Sequence, residues 1–137
     1  DAAITLIDDT YNANPDSVEA LVDVLAELPG PRLLVLGDMG EVGDQGPRFH
    51  QEVGAYAAKH GVDHLITLGE LAAHISQAFG PQDKFGHAAD FDALLQQLLP
   101  EAHHFSTIAV KGSRFMRMER AVQALQIAHQ PRGGQAC

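Results

Sequence analysis

The chain has 137 residues, a length that predicts one domain. Hydrophobic residues make up 45% of it and charged residues 20%, which is typical of a globular protein and argues against a disordered one. Eighteen acidic residues against nine basic ones give a net charge of −9, so nucleic acids and anionic membranes are unfavourable partners. The sequence has neither an apolar run long enough to span a bilayer nor a basic leader, so we expect no membrane span and no secretory signal.

Strand patterns and helix patterns alternate along the chain. Apolar runs predict strands at residues 4–7, 33–36, 65–68 and 107–110, with a weaker strand near Phe85. Each strand is followed by apolar residues at helical spacing, and the last helix carries Met118 and Leu125. Uninterrupted apolar strands indicate a parallel sheet covered on both faces, so the predicted fold class is α/β, a doubly wound three-layer sandwich. We expect residues 1–129 to form a single domain and residues 130–137 to form a flexible tail.

Polar segments follow three of the predicted strands: residues 8–15, 37–41 and 111–114. Ligands of such sheets bind at the carboxyl ends of the strands, so these segments are the candidate site. One carboxylate of Asp8 and Asp9 is expected to face the ligand, unless one orients the turn and the other is solvated. Asn14 is favoured as a helix cap, with Pro15 at the first helical position. Tyr11 either offers a flat surface to a ligand or packs on a helix.

Positive charge is concentrated near the last strand. Four of the nine basic residues lie between Lys111 and Arg120. At the start of the last helix, Lys111 and Arg114 would oppose the helix dipole, which favours an anion bound there with the Ser113 hydroxyl. The alternative is that Ser113 caps the helix and Arg117 pairs with an acid.

Several site classes have no support in the sequence. The loop from Gly37 to Gly46 lacks the dinucleotide fingerprint, and no phosphate-binding loop of the G-x-x-x-x-G-K-[ST] type is present. Asp38 and Glu41 in that loop are either ligands of a metal or amine or part of a solvated turn. The scattered histidines predict no dedicated metal site, and the lone Cys137 is consistent with a reducing, cytoplasmic location.

The polar segments resemble the C-terminal domain of the Mur ligases. The resemblance is carried by Asp-Asp-Thr-Tyr-Asn-Ala-Asn-Pro at 8–15, by Leu-Gly-Asp-Met-Gly-Glu-Val-Gly at 36–43 with His50, and by Val-Lys-Gly-Ser-Arg at 110–114. It is strongest to the members that add D-alanyl-D-alanine to the UDP-N-acetylmuramoyl tripeptide. It implies a Rossmann-like domain of an amide-forming enzyme of peptidoglycan synthesis, which uses ATP and Mg²⁺ and proceeds through an acyl phosphate.

The resemblance also implies roles for individual residues. Those facing the nucleotide would be Asp9, Tyr11, Asn12 and Asn14, those facing the dipeptide would be Lys111, Ser113 and Arg114, and Asp38, Glu41 and His50 would support the site or a domain interface. It implies a central ATPase domain in cis and an N-terminal UDP-substrate domain, neither of which has a counterpart in this sequence. This domain alone is therefore expected to hold no cofactor tightly. Phe115 stands where small residues are common in similar enzymes.

Two other classes of function fit part of the pattern. A phosphoacceptor receiver domain would share Asp8, Asp9 and Lys111, but it needs an aspartate after the third strand, where this chain has Thr67-Leu68-Gly69. A binding module without a catalytic partner is the second alternative, and the sequence alone leaves it open.

Overall fold

The computed structural model describes residues 3–40 and 42–129. Within these ranges strands and helices alternate as the sequence predicts. In chain order they are β1 (Thr5–Asp9), α1 (Pro15–Ala26), β2 (Arg32–Gly37), α2 (Gly46–Lys59), β3 (His64–Leu68), α3 (Ala73–Phe79), β4 (Phe85–Ala88), α4 (Phe91–Glu101), β5 (Thr107–Lys111) and α5 (Glu119–Ala128). The expected tail at 130–137 and the candidate Glu41 lie outside the described residues.

The five strands form one parallel sheet in the order β1-β5-β2-β3-β4. From β1 to β4 the chain moves across the sheet in one direction, and it turns back only between β4 and β5. Because crossovers between parallel strands are right-handed, this reversal places α4 on the opposite face from α1, α2 and α3. The predicted α/β class and three-layer arrangement are confirmed.

Two apolar cores lie on the two faces of the sheet. Neighbouring residues of a strand point to opposite faces, so Leu34 and Leu36 pack beneath α1, α2 and α3, whereas Leu33 and Val35 pack beneath α4 and α5. All four side chains are buried. The central strands are thus apolar on both faces, and polar chemistry is left to the strand ends. Among the described helices, none combines the length and the apolarity that a membrane crossing needs.

Helix α1 begins as the sequence predicts. Asn14 has extended backbone angles, and its side-chain oxygen accepts a hydrogen bond from Ser17 N at 2.8 Å. Ser17 Oγ in turn accepts from Asn14 N at 3.0 Å, which completes a capping box. Pro15 follows in the first turn, where its missing N–H costs nothing.

The connection from β5 to α5 differs from the prediction. A single 3₁₀ turn spans Arg114–Met116, Arg117 adopts a left-handed conformation with φ of 53°, and α5 begins only at Glu119. Lys111 and Arg114 therefore do not lie at the amino end of α5, and the expectation that they oppose its dipole is wrong. Ser113 makes no side-chain capping bond, so the alternative capping role is also wrong.

Candidate functional site

The three polar segments meet at one edge of the sheet. Strand β5 lies between β1 and β2, and the register pairs Lys111 with Asp9 on one side and with Leu36 on the other. The carboxyl ends of these strands are therefore adjacent, and we refer to the surface between the segments that follow them as the crevice. This convergence, expected from the topology of parallel sheets, gives the candidate site its location.

An ion pair joins β5 to β1 at this edge. Lys111 Nζ lies 2.9 Å from Asp9 Oδ2, and the lysine side chain is 2% exposed while that of Asp9 is 42% exposed. Burial of an ammonium is tolerated only with a close partner of opposite charge, and Asp9 supplies it. The preceding Asp8 is exposed, and its Oδ1 accepts from Thr10 Oγ1 at 2.7 Å. The two acidic residues therefore differ: Asp8 bonds within its own turn, and Asp9 is held by β5.

Ser113 connects the loop after β5 to the loop after β2. Its backbone N–H donates to Asp38 O at 3.1 Å, and its side-chain oxygen accepts a short hydrogen bond from Gly40 N. The side chain is buried, at 4% exposure. Ser113 thus fixes the separation of the two loops, and its hydroxyl hydrogen is still available for donation.

His50 holds the same β2 loop from below. The ring is fully buried on α2; Nε2 accepts from Met39 N at 3.0 Å, and Nδ1 lies 2.7 Å from Gly46 O. Nδ1 must carry the proton in this arrangement, because Gly46 O can only accept and Met39 N can only donate. Burial lowers the pKa of His50 below its ordinary value, outweighing the hydrogen bond to Gly46 and the charge of Asp38. A neutral imidazole therefore positions Met39 and Gly40.

Asp38 is directed along the sheet edge toward β3. Its Oδ1 accepts from Ala72 N at 2.7 Å. Gly69 makes room for this carboxylate: its φ is 118°, and a Cβ built there would collide with Asp38. The carboxylate thus fixes the loop after β3, a contact within this domain.

Exposed side chains form the outer rim of the crevice. The guanidinium of Arg114 lies over the ring of Tyr11, with its Cζ 5.2 Å from the ring centroid, and Nη1 is 3.4 Å from Tyr11 Oη. Tyr11 is 70% exposed, so the alternative that it packs on a helix is wrong. Phe115, 65% exposed, borders Gly40, where an added Cβ would lie 2.9 Å from its Cε2. The rim therefore offers a cation and two aromatic faces.

The two asparagines of the first segment are less available than the resemblance implies. Asn14 Oδ1 is occupied by the cap of α1. Asn12 Oδ1 accepts from Ala13 N at 2.9 Å, which leaves its amide N–H groups free to donate to a ligand. Both residues are exposed at the crevice.

The structure also places a histidine near the site that the sequence does not single out. His87 on β4 has its Nδ1 2.7 Å from Thr67 Oγ1, and Thr67 Oγ1 lies 2.6 Å from Ser76 Oγ. Partial burial of the ring lowers the pKa of His87, although the residue is largely exposed, and the charge of Asp38 acts in the opposite direction. His87 lies in the weakest predicted strand, so no sequence pattern marked it.

A cavity of about 530 Å³ lies at the opposite edge of the sheet. It is bordered by the amino ends of β2, β3 and β4 and by α4, with Leu33, Ile66, Phe85 and Glu101 in its wall. It includes none of the candidate site residues, and in α/β sheets of this kind ligands bind at the carboxyl edge. The rim of Tyr11, Arg114 and Phe115 at the carboxyl edge therefore remains the candidate site. Across residues 3–40 and 42–129, no cluster of three or more His, Cys, Asp or Glu side chains could hold a metal ion.

The sequence is similar to that of known proteins. The family described as "Mur ligase, glutamate ligase domain" matches residues 1–114. Over 123 residues the chain is 45% identical to the UDP-N-acetylmuramoyl-tripeptide--D-alanyl-D-alanine ligase of Escherichia coli (strain K12). The aligned region covers 88% of this chain and 26% of that protein. The ligase of the same name from Bacillus subtilis (strain 168) is 35% identical over 130 residues, and the aligned region covers 91% of this chain and 28% of that protein.

Solved structures show the same relationship. MurF from Acinetobacter baumannii superposes with a TM-score of 0.78 at 32% identity, covering 93% of this chain and 28% of that one. MurF ligase from Thermotoga maritima, in complex with ADP, gives a TM-score of 0.75 at 25% identity, and the superposition covers 90% of this chain and 28% of that one. This chain spans about a quarter of the length of the curated relatives it matches. These matches exclude the receiver-domain alternative. The chain belongs to the Mur ligase family, whose glutamate ligase domain it matches.

Proposed function

We propose that this chain is the C-terminal domain of a ligase that joins D-alanyl-D-alanine to the UDP-N-acetylmuramoyl tripeptide. Relatives that carry this ligase's name align along most of the chain. The observation that carries the proposal is the meeting of three polar segments where β1, β5 and β2 end. The crevice there has an anionic part at Asp9 and a cationic part at Arg114, which suits two different substrates.

The reaction needs an activated carboxyl group and an amine. The γ-phosphoryl group of ATP, with Mg²⁺, converts the tripeptide carboxylate to an acyl phosphate and releases ADP. The dipeptide amine then attacks the carbonyl carbon, phosphate leaves, and the amine loses a proton. Phosphoryl transfer is assigned to a central ATPase domain in cis, and this domain alone is proposed to hold neither ATP nor Mg²⁺ tightly.

For the nucleotide, the proposed contacts are on the first segment. Asp9 has a partly exposed carboxylate that can accept hydrogen bonds from ribose hydroxyls. Tyr11 presents an exposed ring to a base, and Asn12 has amide donors. Asn14 lies beside them and is proposed to act indirectly, because its side chain caps α1 and so fixes the position of this segment.

For the dipeptide, the proposed contacts are on the last segment. Arg114 is exposed, and its guanidinium can take a carboxylate in a two-point, charge-assisted interaction. The Ser113 hydroxyl can donate a further hydrogen bond beside it. The resemblance assigns Lys111 to the same ligand, yet the Lys111 ammonium is already bound to the Asp9 carboxylate, 2.9 Å away. We therefore give the carboxylate to Arg114 and Ser113.

Asp38 and His50 are proposed to support the site rather than to touch substrate. His50 orients the Met39 and Gly40 backbone, and Asp38 ties the β2 loop to the loop after β3. The substrates of the proposed reaction are cytoplasmic metabolites, and we propose that location for the enzyme, with neither nucleic acid nor membrane as a partner.

The test is amide formation by the longer protein that carries this chain. With ATP, D-alanyl-D-alanine and the UDP-linked tripeptide, we expect the mass of the joined product and one ADP for each amide. This chain alone is expected to make no product and to hydrolyse no ATP. The absence of product from the longer protein would contradict the proposal and favour the alternative, a binding module without catalysis. ATP hydrolysis by this chain alone would contradict the division of labour between domains.

A further inference from the structure

We propose that Lys111 is a positioning residue for nucleotide binding and does not bind the dipeptide. Its ammonium holds one carboxylate oxygen of Asp9, so that the other oxygen is presented to the ligand. This inference rests on the proposed function, because it takes the ligand of Asp9 to be the nucleotide. It concerns a buried charge that the proposed chemistry does not otherwise use.

The position of Lys111 in the sheet makes the ion pair unusually constrained. β5 is an inner strand, flanked by β1 and β2, and Lys111 ends it in a fully buried register position. Lys111 is among the largest fully buried side chains of the described residues. A lysine that bound a substrate from solvent would have to expose its ammonium. Here that movement would break the 2.9 Å contact with Asp9.

The geometry at Asp9 shows what the lysine does. Lys111 Nζ is bound to Oδ2, while the side chain as a whole remains 42% exposed. Oδ1 has no hydrogen bond within residues 3–40 and 42–129. A carboxylate held at one oxygen has fewer rotamers to lose when a ligand binds at the other, so its affinity for hydroxyl donors rises. Asp8 has no such support from another strand, because its bond is to Thr10, two residues away.

A positioning role and a purely structural role of Lys111 predict different effects of its replacement on stability and on nucleotide binding. Replacing both members of a buried ion pair by apolar residues is often neutral or stabilising, whereas removing one member is costly when the other charge stays buried. Lys111→Met leaves Asp9 without its partner, but this carboxylate can be hydrated because it is partly exposed. We therefore expect the variant to fold and to lose the preferred orientation of Asp9. A lysine with a purely structural role would give the opposite pattern, a loss of stability with normal nucleotide binding.

The experiment uses the longer ligase and measures ADP affinity by calorimetry, alongside the KM values for ATP and for the dipeptide. Lys111→Met is expected to weaken ADP binding and raise the KM for ATP by about tenfold, the scale of a lost charge-assisted hydrogen bond. The KM for the dipeptide should change by less than about twofold, because the guanidinium of Arg114 is untouched. Lys59→Met, which removes an exposed lysine at the end of α2, is the matched control and should change none of these three quantities.

A double variant distinguishes positioning from a direct contact. Asp9→Asn should weaken ADP binding, and Lys111→Met added to it should produce little further loss, because the lysine acts through Asp9. A rise in the KM for the dipeptide that exceeds the rise for ATP would overturn the inference, as would additive losses in the double variant. If Lys111→Met fails to fold, unchanged ADP affinity in Asp9→Asn overturns it equally. ADP binding is read without turnover, so a longer protein that forms no amide would refute the proposed function and still leave the role of Lys111 measurable.

Discussion

At the residue scale, the site depends on a histidine that does no chemistry. His50 accepts a hydrogen bond from the buried Met39 N–H and keeps the β2 loop in register with Ser113. Only the neutral ring can accept that bond. Protonation would leave two donors facing each other in a buried environment, and this is costly. The loop that frames the crevice is therefore sensitive to pH through one side chain.

This gives a prediction for stability. Burial lowers the folded-state pKa of His50, so the unfolded chain, with an ordinary histidine pKa of about 6.5, binds the proton more readily. The contribution of His50 is then fully present above about pH 6.5 and is lost progressively as the pH falls below it. Urea unfolding at about pH 7.5 and 5.5 should show a smaller pH dependence for His50→Gln than for wild type, because glutamine keeps an acceptor that cannot be protonated.

His87 is a second group that contributes to the pH dependence. Its pKa is also lowered, by partial burial, so His87→Gln should remove a part separate from that of His50. Asp38 and His74 act on His50 in opposite directions and are unchanged in both variants. An identical pH dependence in wild type and His50→Gln would show that His50 is not the sensitive group.

At the element scale, the strongest sequence signals were those with a local cause. The cap of α1 could be predicted because Asn14 and Pro15 are adjacent in the sequence and favour a helix start there. The bonds that complete the capping box join Asn14 to Ser17, only three residues away. The start of α5 could not, because no residue pattern marks the turn at Arg114–Met116 or the left-handed conformation of Arg117. Arg120 donates to Arg117 O at 3.0 Å, and it also lies over the ring of Phe91 on α4, with its Cζ 4.1 Å from the ring centroid.

The same distinction explains what the sequence could say about the site. The convergence of three segments was predictable, because it follows from parallel strands. The pairing of Lys111 with Asp9 was not, since it joins residues on strands at opposite ends of the sequence, and a lysine after a strand is usually solvated. The acceptor role of His50 depends likewise on the path of a loop over α2, which no periodicity indicates.

The cap of α1 gives a prediction for the stability of the folded chain. Asn14→Ala should lower the free energy of unfolding of this chain by about 1 kcal/mol, because Ser17 N loses its acceptor at the helix start. Asn12→Ala is the matched control, since its side chain accepts only from the adjacent Ala13 N, and it should have a smaller effect. Equal losses in thermal or urea unfolding would show that the cap is not the main role of Asn14.

At the scale of the whole molecule, the fold separates two edges with different properties. The amino edge contains the cavity beside α4, and the carboxyl edge contains the charged and aromatic rim of the crevice. Two apolar cores lie between these edges, one on each face of the sheet. We propose that substrate binding is confined to the carboxyl edge.

The most direct test compares variants at the two edges in the longer ligase, with initial rates measured while ATP and D-alanyl-D-alanine are varied in turn. Tyr11→Ala should raise mainly the KM for ATP, and Arg114→Ala should raise mainly the KM for the dipeptide, each by about tenfold. Glu101→Gln, an exposed and nearly isosteric change at the amino edge, should leave both values unchanged. An effect of Glu101→Gln as large as those of Tyr11→Ala and Arg114→Ala, or normal kinetics in both of these variants, would contradict the account.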